Sequence, residues 1–143
     1  MTFYKDMSPC LYFGSDYSSI FIAIGWLDWG FEYSVGEIDI HVYRKLCNLL
    51  IDPFQFSALP FSSGSHECTL CQFDGQAGSD HIFIPYRDKI FVAPKLINHY
   101  ISCHRYMPPK EFLSAIQECP SDTRSMEYKK ALLLVNGARI LFK

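Results

Sequence analysis

Apolar positions along this chain fall into short groups of differing period, and together they predict an α+β fold that is mainly helical, with one β-hairpin near its centre. Val42, Leu46, Leu49 and Leu50 recur at three- and four-residue steps, the stripe that a helix turns towards a core. Asp39 is placed to cap that helix, and Pro53, just past Asp52, to end it. Upstream, Ile20, Ile24 and Leu27 keep the same spacing after Asp16-Tyr17-Ser18-Ser19. That predicts an earlier helix running to about Leu27, although Gly25 weakens it. Residues 28–36, D-W-G-F-E-Y-S-V-G, hold no period and read as a loop rich in aromatics and acids.

The second half is punctuated more sharply. After a turn-rich approach over 57–66, His81–Pro85 and Lys89–Val92 have the length and apolar character of strands. Tyr86-Arg87-Asp88 joins them into a hairpin. Pro94 suits the first turn of a helix continuing over Lys95–Arg105. Pro109 opens another over Lys110–Glu118, closed by Pro120, and Ser125 caps a last one over Met126–Val135. Gly137 stops it and leaves Arg139–Phe142 as a candidate edge strand. No repeat, low-complexity tract or linker divides the 143 residues. The expectation is a single domain, 1–143, in three parts: a helical, acidic and aromatic-rich stretch over 1–56, a core over 64–120, and a C-terminal helix with edge strand over 121–143.

The residues that carry chemistry concentrate between His66 and His104. Cys68-Thr69-Leu70-Cys71 is a Cys-x2-Cys pair, and His99 and His104 form a His-x4-His pair near the end of a predicted helix. Two thiolates two residues apart sit in a tight knuckle whose sulfurs converge on one cation, and two imidazoles complete a tetrahedron. The order knuckle, hairpin, helix follows the logic of a Cys2His2 zinc module and predicts bound Zn2+. Twenty-seven residues separate Cys71 from His99, against about 12 in a DNA-reading finger. This is therefore an enlarged finger embedded in a larger fold, and its helix lacks a row of basic base-reading side chains. On an ideal helix His99 and His104 diverge by about 140°, whereas His99 and Cys103 lie one turn apart. Cys103 thus competes for the fourth position, as does His66. Reduced buried cysteines with ordinary surface histidines are the plainer alternative. A redox Cys-x-x-Cys expects a βαβ setting that the sequence does not show.

Four protein ligands imply a closed, structural site rather than a catalytic one with an open position. Glu67 beside Cys68 invites comparison with zinc deaminases, but H-E-C-T-L-C compresses their His-x-Glu and Pro-Cys-x-x-Cys elements and lacks the proline. No strained nucleophile turn, phosphate loop or paired-carboxylate motif is present, and no enzymatic activity is expected.

Charge adds a direction. Residues 1–67 hold eight acids against three bases, and residues 68–143 seven acids against ten bases, for a net −2. That total argues against a general nucleic-acid binder, while an acidic half can steer a basic partner. Aromatic residues make up 16% of the chain, and such residues are enriched at protein interfaces. No run reaches the roughly 18 to 20 apolar residues of a membrane span. The N-terminus lacks the pattern of a secretory signal, so the expected location is the cytoplasm.

The segments H-E-C-T-L-C-Q-F-D-G, I-F-I-P and I-F-V-A-P-K-L-I-N-H-Y-I-S-C-H-R-Y-M-P-P-K-E-F-L-S-A-I-Q-E-C-P resemble a family of small, uncharacterised bacterial proteins. Its members share an H-x-C-x-x-C knuckle, a strand ending in Pro, a V-A-P-x-L-I-x-H-Y-I-x-x-H helix and a P-P-x-E-F segment. The resemblance covers about residues 64–120 and, more loosely, G-W-L-D at 25–28. It implies histidines at 66, 99 and 104 and cysteines at 68 and 71, with a small residue usual at the position of Cys103, which favours His104 over Cys103. Asp80-His81 and the 29–33 loop depart from the pattern, and the resemblance implies no known activity.

Two functions from different classes fit these features. The first is a non-enzymatic protein-binding module, an immunity protein that neutralises a bacterial toxin or effector of a contact-dependent or type VI system. Trp26, Asp28, Trp29, Phe31, Glu32, Tyr33, Glu37 and Asp39 would form its contact stretch, the aromatics as anchors and the carboxylates for steering. Against it, both tryptophans could be core residues and the acids helix caps. The second is a zinc-containing regulator acting on nucleic acid through Arg87, Lys89, Lys95, Arg105, Lys110, Lys129 and Lys130, whose scatter counts against it.

Overall fold

The strand at the centre of the sheet is β5, Lys89–Pro94, whose five residues Ile90–Pro94 are all buried. It forms a hairpin with β4, His81–Tyr86, in a register that runs from Tyr86 opposite Lys89 to His81 opposite Pro94. Arg87 takes the left-handed conformation (φ 58°) that so short a connection demands. On its other edge β5 pairs in parallel with β1, Phe21–Ala23, Phe21 lying opposite Ile90 and Ala23 opposite Val92. The sheet order is β1-β5-β4. A chain segment preceding β1 closes its free edge: Cys10 N–H donates to Phe21 O at 2.8 Å, and Ala23 N–H to Ser8 O at 2.8 Å. In this computed structural model residues 3–10, 19–51, 66–71, 77–78, 81–135 and 138 are described.

β1 corrects the sequence reading, which placed a helix there. Ile20-Phe21-Ile22-Ala23-Ile24 is a short apolar run whose spacing suits a helix and a buried strand equally. Flanked by β5 on one side and by residues 8–10 on the other, it gains its ladder from partners that local spacing cannot reveal. Gly25 ends the strand at φ +75°, and its N–H donates to Asp6 Oδ1 at 3.0 Å. The same carboxylate accepts from Tyr106 Oη at 2.6 Å, while burial holds the Asp6 carboxyl above its ordinary value. A Cβ at position 25 would lie 2.8 Å from Ile97 Cδ1. Gly25→Ala therefore combines a left-handed penalty with a steric one and is expected to destabilise by about 1–3 kcal/mol. It would show as a lower urea midpoint with an unchanged slope.

Three helices bear out a predicted stripe, cap or pair of bounds. α1, Ile40–Ile51, buries Val42, Leu46, Leu49 and Leu50, and Asp39 Oδ1 accepts the His41 N–H at 2.7 Å. After two further short strands, β2 (His66–Glu67) and β3 (Ala77–Gly78), which pair antiparallel, comes α2, Ile97–His104. It starts two residues later than expected, because Pro94 serves as the last residue of β5 and not as a helix opener. α3, Lys110–Glu118, has the predicted bounds and packs Phe112 edge-on to Phe91 at 5.7 Å. α4, Met126–Leu133, is capped by Ser125, whose hydroxyl accepts from Tyr128 N–H, and the buried Tyr128 hydroxyl donates to Phe83 O. α3 and α4 both pack on β4, and α1 packs on α3 and α2. The result is a small α+β domain. The expected edge strand at 139–142 and the turn-rich 57–65 stretch fall outside the described residues. Among the described residues no helix is long and apolar enough to cross a membrane.

Candidate metal centre

Cys68 and Cys71 sit on the turn that follows β2, and His99 and His104 on α2. Their donor atoms, two Sγ and two imidazole nitrogens, all lie within 4.8 Å of one another. Cys68 Sγ is 3.4 Å from His104 Nε2, and Cys71 Sγ is 3.3 Å from His99 Nε2 and 3.4 Å from His104 Nε2. A tetrahedron with M–S of about 2.3 Å and M–N of about 2.05 Å has S···N edges of roughly 3.6 Å. The observed separations are close to those edges, so the four side chains fit a cation of that size. Despite their divergence on the helix, both imidazoles reach the cluster from α2. Just past the helix Arg105 takes φ 55°, the Tyr106 N–H reaches back six residues to Tyr100 O at 3.1 Å, and the His99 and His104 rings stand 5.1 Å apart and nearly perpendicular.

The surroundings suit this donor set. Cys68 is buried, and desolvation raises its thiol above the ordinary value, so deprotonation awaits a cation that repays it. Burial, then the neighbouring His104, lowers His99. The imidazole is thereby held neutral with its lone pair free to coordinate. The Tyr100 hydroxyl is buried without a hydrogen-bond partner among the described residues. Its proton is held tightly, first by burial and then by the charges of Cys68, Asp28 and Cys71. Cys103, the competing ligand, is exposed and points to Ser102; it lies outside the cluster. The His66 side chain is outside the described residues, as is that of Glu67. Two sulfurs and two nitrogens would make up a four-coordinate tetrahedral set.

The candidate contact stretch separates into two groups. Trp26 is fully buried, donates Nε1–H to Val92 O at 2.9 Å and stacks on His81, which corrects its assignment as a partner residue: it belongs to the core. Asp28 is half-buried and accepts from Thr69 Oγ1 at 2.7 Å and from Trp29 N–H at 2.8 Å. Tyr33 donates its hydroxyl to His104 O at 3.1 Å and packs edge-on to Tyr106. Asp39 is the α1 cap. Trp29, by contrast, is 75% exposed, Phe31 50% exposed and stacked on Phe3, and Glu32 and Glu37 stand in solvent. Val35 and Ile40, 62% and 52% exposed, add two more apolar side chains to this stretch of chain. The sequence reading missed both, although branched apolar residues set among Ser34, Gly36, Glu37 and Asp39 were a usable signal. It also missed Thr69, which no spacing rule marks.

A family model described as "Domain of unknown function" (DUF7919) matches residues 2–117, and the chain belongs to that family. The match reaches back over β1 and the aromatic loop, well beyond the 64–120 stretch on which the resemblance was based. No curated protein and no solved structure matches the chain.

Proposed function

We propose that this chain is a non-enzymatic protein-binding module. A structural zinc ion on Cys68, Cys71, His99 and His104 stabilises it, and the exposed ridge Trp29–Phe31–Val35–Ile40 with Glu32 and Glu37 is its docking face. The supporting observation is the character of that ridge: four large apolar side chains in solvent, interleaved with carboxylates. Large apolar side chains left in solvent within one short stretch of chain suit an interaction site, and the acids select a partner of basic surface. Beside the ridge a cleft of ≈ 360 Å³, lined by residues including Glu37, Ile38, Ile40, Tyr43 and Ile101, can take one apolar side chain of that partner. Zinc is the metal of choice because a two-sulfur, two-nitrogen tetrahedral set suits it and the role needs no redox chemistry. The partner class we favour is a cytoplasmic toxin or effector domain, bound and neutralised in the manner of an immunity protein. The acidic aromatic ridge would cover a basic active site.

The test is binding and protection against the toxin-like product of an adjacent reading frame. Wild type should bind it with an affinity that falls as salt rises, and should protect cells expressing it. Trp29→Ala should weaken binding by about 30-fold or more, the loss typical of an aromatic hot spot, and Glu32→Gln should flatten the salt dependence. A folded, metal-loaded chain that neither bound nor protected would overturn the reading. A salt-sensitive shift of DNA or RNA would replace it with the nucleic-acid alternative.

A further inference from the structure

Thr69 stands between the two cysteines of the knuckle and contributes no ligand, yet it is bonded into the ridge. Its Oγ1–H donates to Asp28 Oδ1 at 2.7 Å, and its oxygen accepts the Trp29 N–H at 2.9 Å. The same N–H reaches Asp28 Oδ1 at 2.8 Å, so the backbone at the ridge's most exposed residue is held by a three-membered polar ring. The other end of the loop is fastened to the far side of the metal centre. Tyr33 donates to His104 O at 3.1 Å, Gly36 N–H to Arg105 O at 3.0 Å and Met107 N–H to Ser34 O at 2.9 Å. One end of the loop therefore hangs on the Cys68–Cys71 turn and the other on the C-terminus of α2. These are the two pieces that a cation in the cluster would join.

From this we infer that the metal centre controls the docking face, with Thr69 as the relay. A cation that draws the knuckle onto α2 fixes Thr69, Thr69 fixes Asp28 and the Trp29 N–H, and Trp29 is thereby presented in one orientation. The inference rests on the reading of the ridge as the docking face and adds its regulation. The metal ion contacts no partner, yet affinity for a basic protein follows metal occupancy. Preorganisation supplies the energy, since a loop held in its bound conformation loses less freedom on binding. Coupling of this kind changes affinity by about 5- to 150-fold.

Thr69→Val in the full, zinc-loaded chain removes the relay and leaves all four ligands in place. Thr69→Ser keeps the hydroxyl and serves as the rescue. The Trp29 backbone amide order parameter, read by 15N relaxation, should fall from about 0.85 to below about 0.6 in Thr69→Val and return in Thr69→Ser. Metal content should remain at one ion per chain in both. Affinity for the basic partner should drop at least fivefold in Thr69→Val alone. An unchanged Trp29 order parameter, or a serine variant as loose as the valine one, would overturn the relay while leaving the docking face standing. A loosened loop with unchanged affinity would overturn the docking face and with it the control of binding.

Discussion

Cys68→Ser and Cys71→Ser are each expected to lose stoichiometric metal and to lose or severely weaken the cooperative fold. The four donors come from two chain segments 28 residues apart at their nearest, Cys71 and His99, and the cation is what ties them. An ion present at a thousand times its dissociation constant contributes about 4 kcal/mol, and structural zinc commonly binds far more tightly than that. For a chain of this length, 143 residues, the melting temperature should fall by roughly 10–20 °C. Circular dichroism melting with parallel metal analysis reads both effects. Cys103→Ser is the internal control. That thiol is exposed and outside the cluster, so its loss should move neither quantity. Unaltered melting in the Cys68 and Cys71 variants would show that the fold does not depend on the ion.

Trp26→Ala should destabilise the protein by about 3–5 kcal/mol, the usual cost of removing a large buried aromatic, whereas Trp29→Ala should change stability by less than about 0.5 kcal/mol. The two residues are three apart in sequence and opposite in environment. Trp26 is fully buried, bonded through Nε1 to Val92 O and packed between His81 and Tyr4. Trp29 is mostly in solvent. Denaturant titration of the pair separates core from surface without any knowledge of the partner. A Trp29→Ala variant as unstable as Trp26→Ala would return the loop to a purely structural role.

What could be read in advance follows from where each signal resides. α1, α3, α4 and the hairpin carry their own information: a buried stripe such as Val42, Leu46, Leu49 and Leu50, a cap such as Ser125, a proline at each limit of α3. β1 carries none that is local. Its five-residue apolar run becomes a strand because β5, nearly 70 residues further on, offers a parallel edge, and only Gly25 hinted that a helix would fail there. Pro94 misled for a related reason. Its missing N–H suits a helix start in isolation, but the hairpin register extends β5 to that residue.

The metal donor set was legible because cysteine pairs and histidine pairs are rare in combination and chemically specific. The choice of His104 over Cys103 was not legible from helix geometry alone. On an ideal helix Cys103, not His104, shares a face with His99, and the choice is set by where the side chains reach, with the two imidazole rings 5.1 Å apart. The division of the aromatic stretch into core, anchors and ridge lay beyond any periodicity. Trp26, Asp28 and Tyr33 are committed to Val92, Thr69 and His104, partners 66, 41 and 71 residues away.

The most direct measurement is elemental analysis of the full chain purified without chelator or affinity metal, referenced to amino-acid quantitation. One zinc per chain, falling to none in Cys71→Ser and retained in Cys103→Ser, is the predicted result. Protein that is folded by circular dichroism yet holds no stoichiometric transition metal would contradict it.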